Sequence, residues 1–127
     1  MTQAGTSPTS PMSNAPMSKE TQDCVEACMN CHTLCEQAMS ACMQPGGEAR
    51  MMVMRALMDC SEMTRMCADM MMRRSPMAAE MCALCARACE MCAEACASVR
   101  GDEHLMRCAE SCRRCAMMCR AMAGAMA

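Results

Sequence analysis

From residue 18 onward, small and sulfur-bearing residues recur every three or four positions, with charged and polar residues between them. That is the period of helices that each bury one face. Cys24, Cys28, Cys31, Cys35 and Cys42 mark the first stripe, and Cys60 and Cys67 the second. The third is Cys82, Cys85, Cys89, Cys92 and Cys96, and the fourth is Cys108, Cys112, Cys115 and Cys119. Steps within a stripe are three, four or seven residues, the spacing of an inward-facing seam. Ala38, Val53, Val99, Leu105 and Met122 continue the same stripes.

Breakers between the stripes set the predicted elements. A first helix over 18–43 stops at Gln44-Pro45-Gly46-Gly47, where proline and paired glycines reverse the chain. A second runs over 48–73. A third runs over 76–99, with Ser75 as its N-cap and Pro76 as its first helical residue. Gly101 suits the left-handed position after it. Asp102 caps a fourth helix over 103–124. Short connections make neighbours antiparallel, so the fold expected is all-α, an antiparallel up-down-up-down four-helix bundle over 18–127.

Composition changes what fills that bundle. The 127 residues include 16 Cys and 23 Met, no Phe, Trp or Tyr, four Leu, three Val and no Ile. An ordinary aliphatic core is excluded, and the interior must be lined by sulfur. Net charge is −2, without the basic surface or the stacking aromatics that nucleic-acid binding needs. No apolar run reaches membrane-spanning length. Residues 1–17 carry no positive charge, no apolar signal core and no twin-arginine pair. They read as a disordered tail, and the location expected is the cytosol, where thiols stay reduced.

Four uses of the thiols compete. Cysteine can serve as a small core hydrophobe, an account that fits one or two residues but not sixteen. Disulfides are disfavoured because neighbours on one helix face have parallel Cβ vectors. Four-thiolate zinc sites close with pairs from loops, and each leaves a charge near −2 in a dry core; iron–sulfur proteins use compact loop spacings. Cu(I) is soft and favours thiolate. Two-coordinate ions bridging neighbouring thiolates, roughly one per cysteine, would leave the core neutral. The favoured reading is multiple Cu(I) ions held by all sixteen cysteines. Zinc or other soft-metal thiolate binding, or a metallochaperone, remains the alternative.

The runs C-x₃-C-x₂-C-x₃-C at Cys24–Cys35 and Cys108–Cys119, with C-x₂-C-x₃-C-x₂-C-x₃-C at Cys82–Cys96, resemble the bacterial copper storage proteins. The resemblance covers about residues 18–124. It implies a four-helix bundle filled with Cu(I), often a homotetramer, and the missing leader resembles the cytosolic branch. Two features depart from it: only two cysteines on the second helix, and an unusually high methionine content.

Met63, Met70, Met81 and Met91 are expected on or beside the seams as flexible filler. An antiparallel bundle gathers Met39, Met43, Met51, Met52, Met54, Met106 and His104 at one end. Met70, Met71, Met72, Met77, Met118, Met122 and Met126 gather at the other. Either set could pass Cu(I) to the thiolates, and the His104 end is the one favoured as the mouth, with Cys42, Cys96 and Cys108 as a sparser shell beside it. His104, one turn before Cys108, is the candidate non-thiol ligand at such a mouth, whereas His32 lies off the seam and Asp59 and Glu62 face outward. Copper is expected to load most densely from Cys60 toward the end where Cys24, Cys67, Cys82 and Cys119 meet. No enzyme is expected, since neither histidine stands at an obvious base position. The partners expected are copper ions and a copper donor or acceptor protein.

Overall fold

The computed structural model describes residues 15–43 and 47–126. Helix α1 spans Lys19–Cys42, α2 Gly47–Met72, α3 Ala78–Ala97 and α4 Glu103–Met126. Each helix packs on two neighbours, α1 on α2, α2 on α3, α3 on α4 and α4 on α1, and among the described residues the backbones of diagonal helices do not come together. The four therefore form a square around one axis, in the up-down-up-down order that short connections impose. The Gln44-Pro45-Gly46 part of the first break lies outside the described residues, as does most of the tail expected over 1–17. Ala15–Met17 are described, and Met17 packs against the core at the start of α1.

Local chemistry explains the helix ends. Ser18 is the N-cap of α1, and its Oγ accepts the Thr21 N–H at 3.1 Å. Asp102 caps α4 in the same way, accepting the Leu105 N–H at 3.1 Å. Gly101 has φ +80°, a backbone conformation that costs glycine little.

The α2–α3 corner differs from expectation. Helix α3 starts at Ala78, with Met77 at its cap and no side-chain capping bond. The reason is a Schellman closure of α2. The Ser75 N–H reaches the Met70 carbonyl at 2.9 Å, and the Arg74 N–H reaches that of Met71 at 3.2 Å. Arg74 takes the left-handed position, φ 55°, where glycine is usual. With its N–H committed backward, Ser75 supplies a turn instead of a cap: its Oγ accepts from Met77 N at 3.1 Å and its carbonyl from Ala78 N at 3.0 Å.

The interior is sulfur and alanine. All sixteen cysteines are buried, fifteen of them at 0% exposure and Cys42 at 6%. Beside the seams lie buried Ala86 and Ala93 on α3 and Ala109 and Ala116 on α4, each pair seven residues apart. Interaxial distance follows side-chain size at the contact, so alanine beside cysteine brings the axes close enough for thiols to meet. Val53, Leu57, Leu105, Ala38 and Met122 are buried as their stripes require, and Val99 is half-buried. Met81 is buried, and Met63 and Met70 pack against the core. Met91 is a correction: it is 56% exposed, because it falls between the Cys89 and Cys92 seam positions and turns outward.

Candidate metal centre

The seams converge on a column of sulfur. At the Met17 end, Cys24 lies 3.8 Å from Cys119 across α1 and α4, and Cys67 lies 3.6 Å from Cys82 across α2 and α3. Cys28 joins this layer to the next, 3.6 Å from Cys119 and 3.7 Å from Cys115. In mid-column Cys31 sits 3.6 Å from Cys112 and 3.9 Å from Cys60, while Cys60 is 3.7 Å from Cys89 and 3.8 Å from Cys112. Further along, Cys35 meets Cys108 at 3.6 Å, and Cys92 meets Cys96 at 3.9 Å.

These neighbours form compact, overlapping groups whose sulfurs lie within 4.8 Å of one another: Cys28, Cys67, Cys85 and Cys119; Cys31, Cys35, Cys60 and Cys112; Cys35, Cys92, Cys108 and Cys112; and Cys31, Cys89 and Cys115. Metal–sulfur bonds of ~2.3 Å put sulfurs ~4.6 Å apart across a linear ion and ~4.0 Å apart around a trigonal one. Small outward movements from the observed separations therefore suit either low-coordinate geometry. The sharing of Cys31, Cys35 and Cys112 between groups decides more. Independent tetrahedral sites cannot own the same ligand, whereas bridging thiolates can serve several monovalent ions and keep the column near neutrality.

Proton sharing follows the same contacts. Contacts with Cys115 and Cys24 lower the Cys119 thiol from its ordinary value, those with Cys112 and Cys115 lower Cys31, and those with Cys108 and Cys112 lower Cys92. Cys108 is held at about 5, chiefly by Cys112. Cys112 shifts the other way, raised by its contacts with Cys108 and Cys31, and Cys28 is raised by those with Cys115 and Cys119.

At its far end the column meets aliphatic side chains on α1, α2 and α4, while α3 continues it with the buried thiol of Cys96, one turn beyond Cys92. One turn beyond Cys35, Cys60 and Cys108 stand Ala38, Leu57 and Leu105, with Val53 on the next turn of α2; none exceeds 1% exposure. Cys42 lies past this layer by its register on α1. There Arg50 Nη1 donates to its sulfur at 3.7 Å and to Asp102 Oδ2 at 3.2 Å. Arg50 escaped sequence reading because nothing in its spacing marks it; only the closed bundle brings α2 beside the α3–α4 turn.

His104 is exposed at the start of α4 and belongs to none of the thiol groups. Asp59 and Glu62 are exposed as expected. His32 ties α1 to α2. Its Nδ1 lies 2.8 Å from the Ser61 carbonyl, which can only accept, so that nitrogen carries the proton. Ser61 Oγ donates to Glu36 Oε2 at 2.5 Å. Thr64 fills the seam position between Cys60 and Cys67. It is fully buried and returns its hydroxyl to the Cys60 carbonyl at 2.7 Å, so α2 offers a satisfied alcohol where the other helices offer thiols.

A sequence profile described as copper storage protein matches residues 17–124. Among solved structures, metal-free copper storage protein 3 from Bacillus subtilis is similar at 31% identity, with a TM-score of 0.76 over 81% of this chain and 98% of that one. The Cu(I)-bound copper storage protein BsCsp3 gives 30% identity and a TM-score of 0.77, over 83% and 99%. The copper storage protein Ccsp from Streptomyces lividans, loaded with 10 copper equivalents, gives 25% identity and a TM-score of 0.79, over 87% and 93%. Comparison with curated proteins produced no match.

Proposed function

The chain belongs to the copper storage protein family, and we propose that it stores many Cu(I) ions on the thiolates of its bundle core. The observation that carries this is the run of buried thiols in overlapping groups, with neighbouring sulfurs 3.6–4.0 Å apart. All sixteen cysteines are assigned as ligands. His104 enters as a surface ligand that the thiol groups do not need for completion. The role is sequestration, giving copper tolerance or a reserve, without catalysis. No described helix is long and apolar enough to cross a membrane. We place the protein in the cytosol as a homotetramer that exchanges copper with a donor or acceptor protein.

Anaerobic Cu(I) titration against a competing chelator, with thiols counted before and after, tests the reading. Well over ten ions per chain, with no free thiol at saturation, is the outcome expected from the sixteen cysteines. A plateau at four ions or fewer would instead match the number of overlapping thiol groups and favour zinc-like chemistry.

A further inference from the structure

The thiol stripe is not the only heptad on α2 and α3. On α2, Met52, Ala56, Asp59, Met63, Met66 and Met70 recur at steps of four and three beside the Cys60–Cys67 stripe. On α3, Met77, Met81, Leu84, Ala88 and Met91 do the same beside the thiols of that helix. The two stripes flank one groove. Ala56, Asp59 and Met63 of α2 and Leu84, Arg87 and Met91 of α3 line a surface cavity of 220 Å³. An apolar stripe at this spacing is the face a helix buries against a partner helix. Here the outer part of the stripe is uncovered: Met66 is 46% exposed, Leu84 48% and Met91 56%.

The other sides of the bundle are bridged or charged. Ser61 bonds Glu36 across α1 and α2, and Arg120 pairs with Glu90 across α3 and α4 at 2.5 Å. The α1–α4 groove is lined by Asp23, Glu26, Asn30 and Arg114. The α2–α3 groove instead holds two side chains of opposite charge, Asp59 and Arg87. Neither enters an ion pair among the described residues. They stand at nearly one level, because the antiparallel register sets Cys60 beside Cys89 at 3.7 Å.

We infer that this groove is the contact between two copies of the chain, packed face to face about a two-fold axis that runs along the groove. This rests on the reading of the chain as a homo-oligomer, and it supplies one of the interfaces that a tetramer needs. Charge selects the axis. A two-fold along the groove lays α2 of each copy over α3 of the other at the same height. Asp59 of each copy then meets Arg87 of the other, in two equivalent pairs. A two-fold across the groove would lay α2 on α2 and α3 on α3, and would take Arg87 away from Asp59. The face from Met52 to Met70 is ~27 Å long and two helices wide, on the scale of the roughly 800 Å² that each partner gives to a standard interface. Flexible thioethers suit such a seam, since they fill irregular space between facing helices. The contact gives the methionine surplus of α2 and α3, Met91 included, a use outside the thiol column.

Sedimentation of the reduced, metal-free chain tests the contact. The triple variant M66E/L84E/M91E changes only exposed positions, so its helical circular dichroism is expected to persist while the assembled mass falls twofold. M43E, at a residue 74% exposed at the end of α1, is expected to leave the mass unchanged. D59R sets arginine against Arg87 and is expected to weaken association by about tenfold or more, and D59R/R87D to restore it. In wild-type protein carrying ¹³C-methyl methionine, a soluble paramagnetic agent is expected to broaden the methyl signal of Met43 and to spare those of Met66 and Met91. This readout decides the matter even if a variant fails to fold. An unchanged mass in the folded triple variant, or Met66 and Met91 broadened as strongly as Met43, overturns this contact and leaves the homo-oligomer to another face. A wild-type chain that sediments as a monomer overturns both, and the copper plateau still tests storage separately.

Discussion

At the Met17 end the last thiols, Cys24, Cys67, Cys82 and Cys119, are followed within a turn by Met71, Ala78 and Met122 and then by a cavity. At the other end Cys35 and Cys108 are followed by Ala38 and Leu105, Cys60 by Leu57 and Cys92 by Cys96, and Cys42 lies beyond them beside Arg50. The difference separates two jobs that a sulfur-filled bundle must do. Thiols that will bind metal cannot also be relied on to hold the metal-free chain in register, because their contacts rearrange as ions arrive. A fully buried leucine stabilises by about 1.5–3 kcal/mol whether copper is present or not. The aliphatic side chains therefore act as a clamp at one end that does not depend on metal.

The strongest test of that division is Leu105→Ala. A cavity in the clamp is expected to destabilise the metal-free bundle by about 2–5 kcal/mol, measured by denaturant unfolding. Met126→Ala, at a side chain 39% exposed on the opposite end, is expected to stay within about 0.5 kcal/mol of wild type. Equal losses would mean that stability is spread evenly along the column.

Capacity sharpens the same contrast. Cys112 lies within 4.0 Å of Cys31, Cys60 and Cys108 and belongs to two overlapping groups. Cys112→Ala is expected to remove more than one ion from the titration plateau, because its neighbours lose a shared bridge. Cys42→Ala, behind the aliphatic layer, is expected to remove a single ion or none. Equal effects would show that Cys42 is continuous with the column after all.

A smaller effect is expected at the clamp's rim. Hydrogen bonding from the Leu105 N–H, and then the Arg50 guanidinium, hold Asp102 below the usual carboxylate range. A depressed carboxylate contributes stability that is present above its unfolded value of ~3.9 and is lost as pH falls through its lower folded value. Asp102→Ala is expected to cost about 1 kcal/mol at neutral pH through the lost cap and to flatten the acid limb of the stability profile. A variant with wild-type stability and an unchanged acid limb would remove Asp102 from the clamp. The smallest effect belongs to His104→Ala, expected to lose only a weakly held ion that a chelator strips first. Loss of tightly held copper would make His104 part of the column despite its exposure.

Much of this was legible along the chain. Steps of three, four and seven placed every cysteine on an inward seam, and the Gly101–Asp102 pair placed the start of α4. The α2–α3 corner was not legible, because a left-handed arginine in a Schellman closure leaves none of the glycine signal that such a turn normally shows. Met91 was misplaced for a related reason: on a helix carrying cysteines at both three- and four-residue steps, a position beside the seam can turn either way until neighbours pack.

Periodicity is a property of one helix at a time, so the sequence by itself determined the four helices, the inward face of each and the soft-metal chemistry of that face. Which sulfurs touch, which groups share a ligand, and where the column stops depend on the axial register between helices that are distant in sequence. That register is set by how Ala86, Ala93, Ala109 and Ala116 and the buried leucines pack. Only in the closed bundle does Arg50 meet Cys42 and Asp102, and only there do Met17, Met71 and Met126, from three separate stretches of chain, line one cavity over the last thiols.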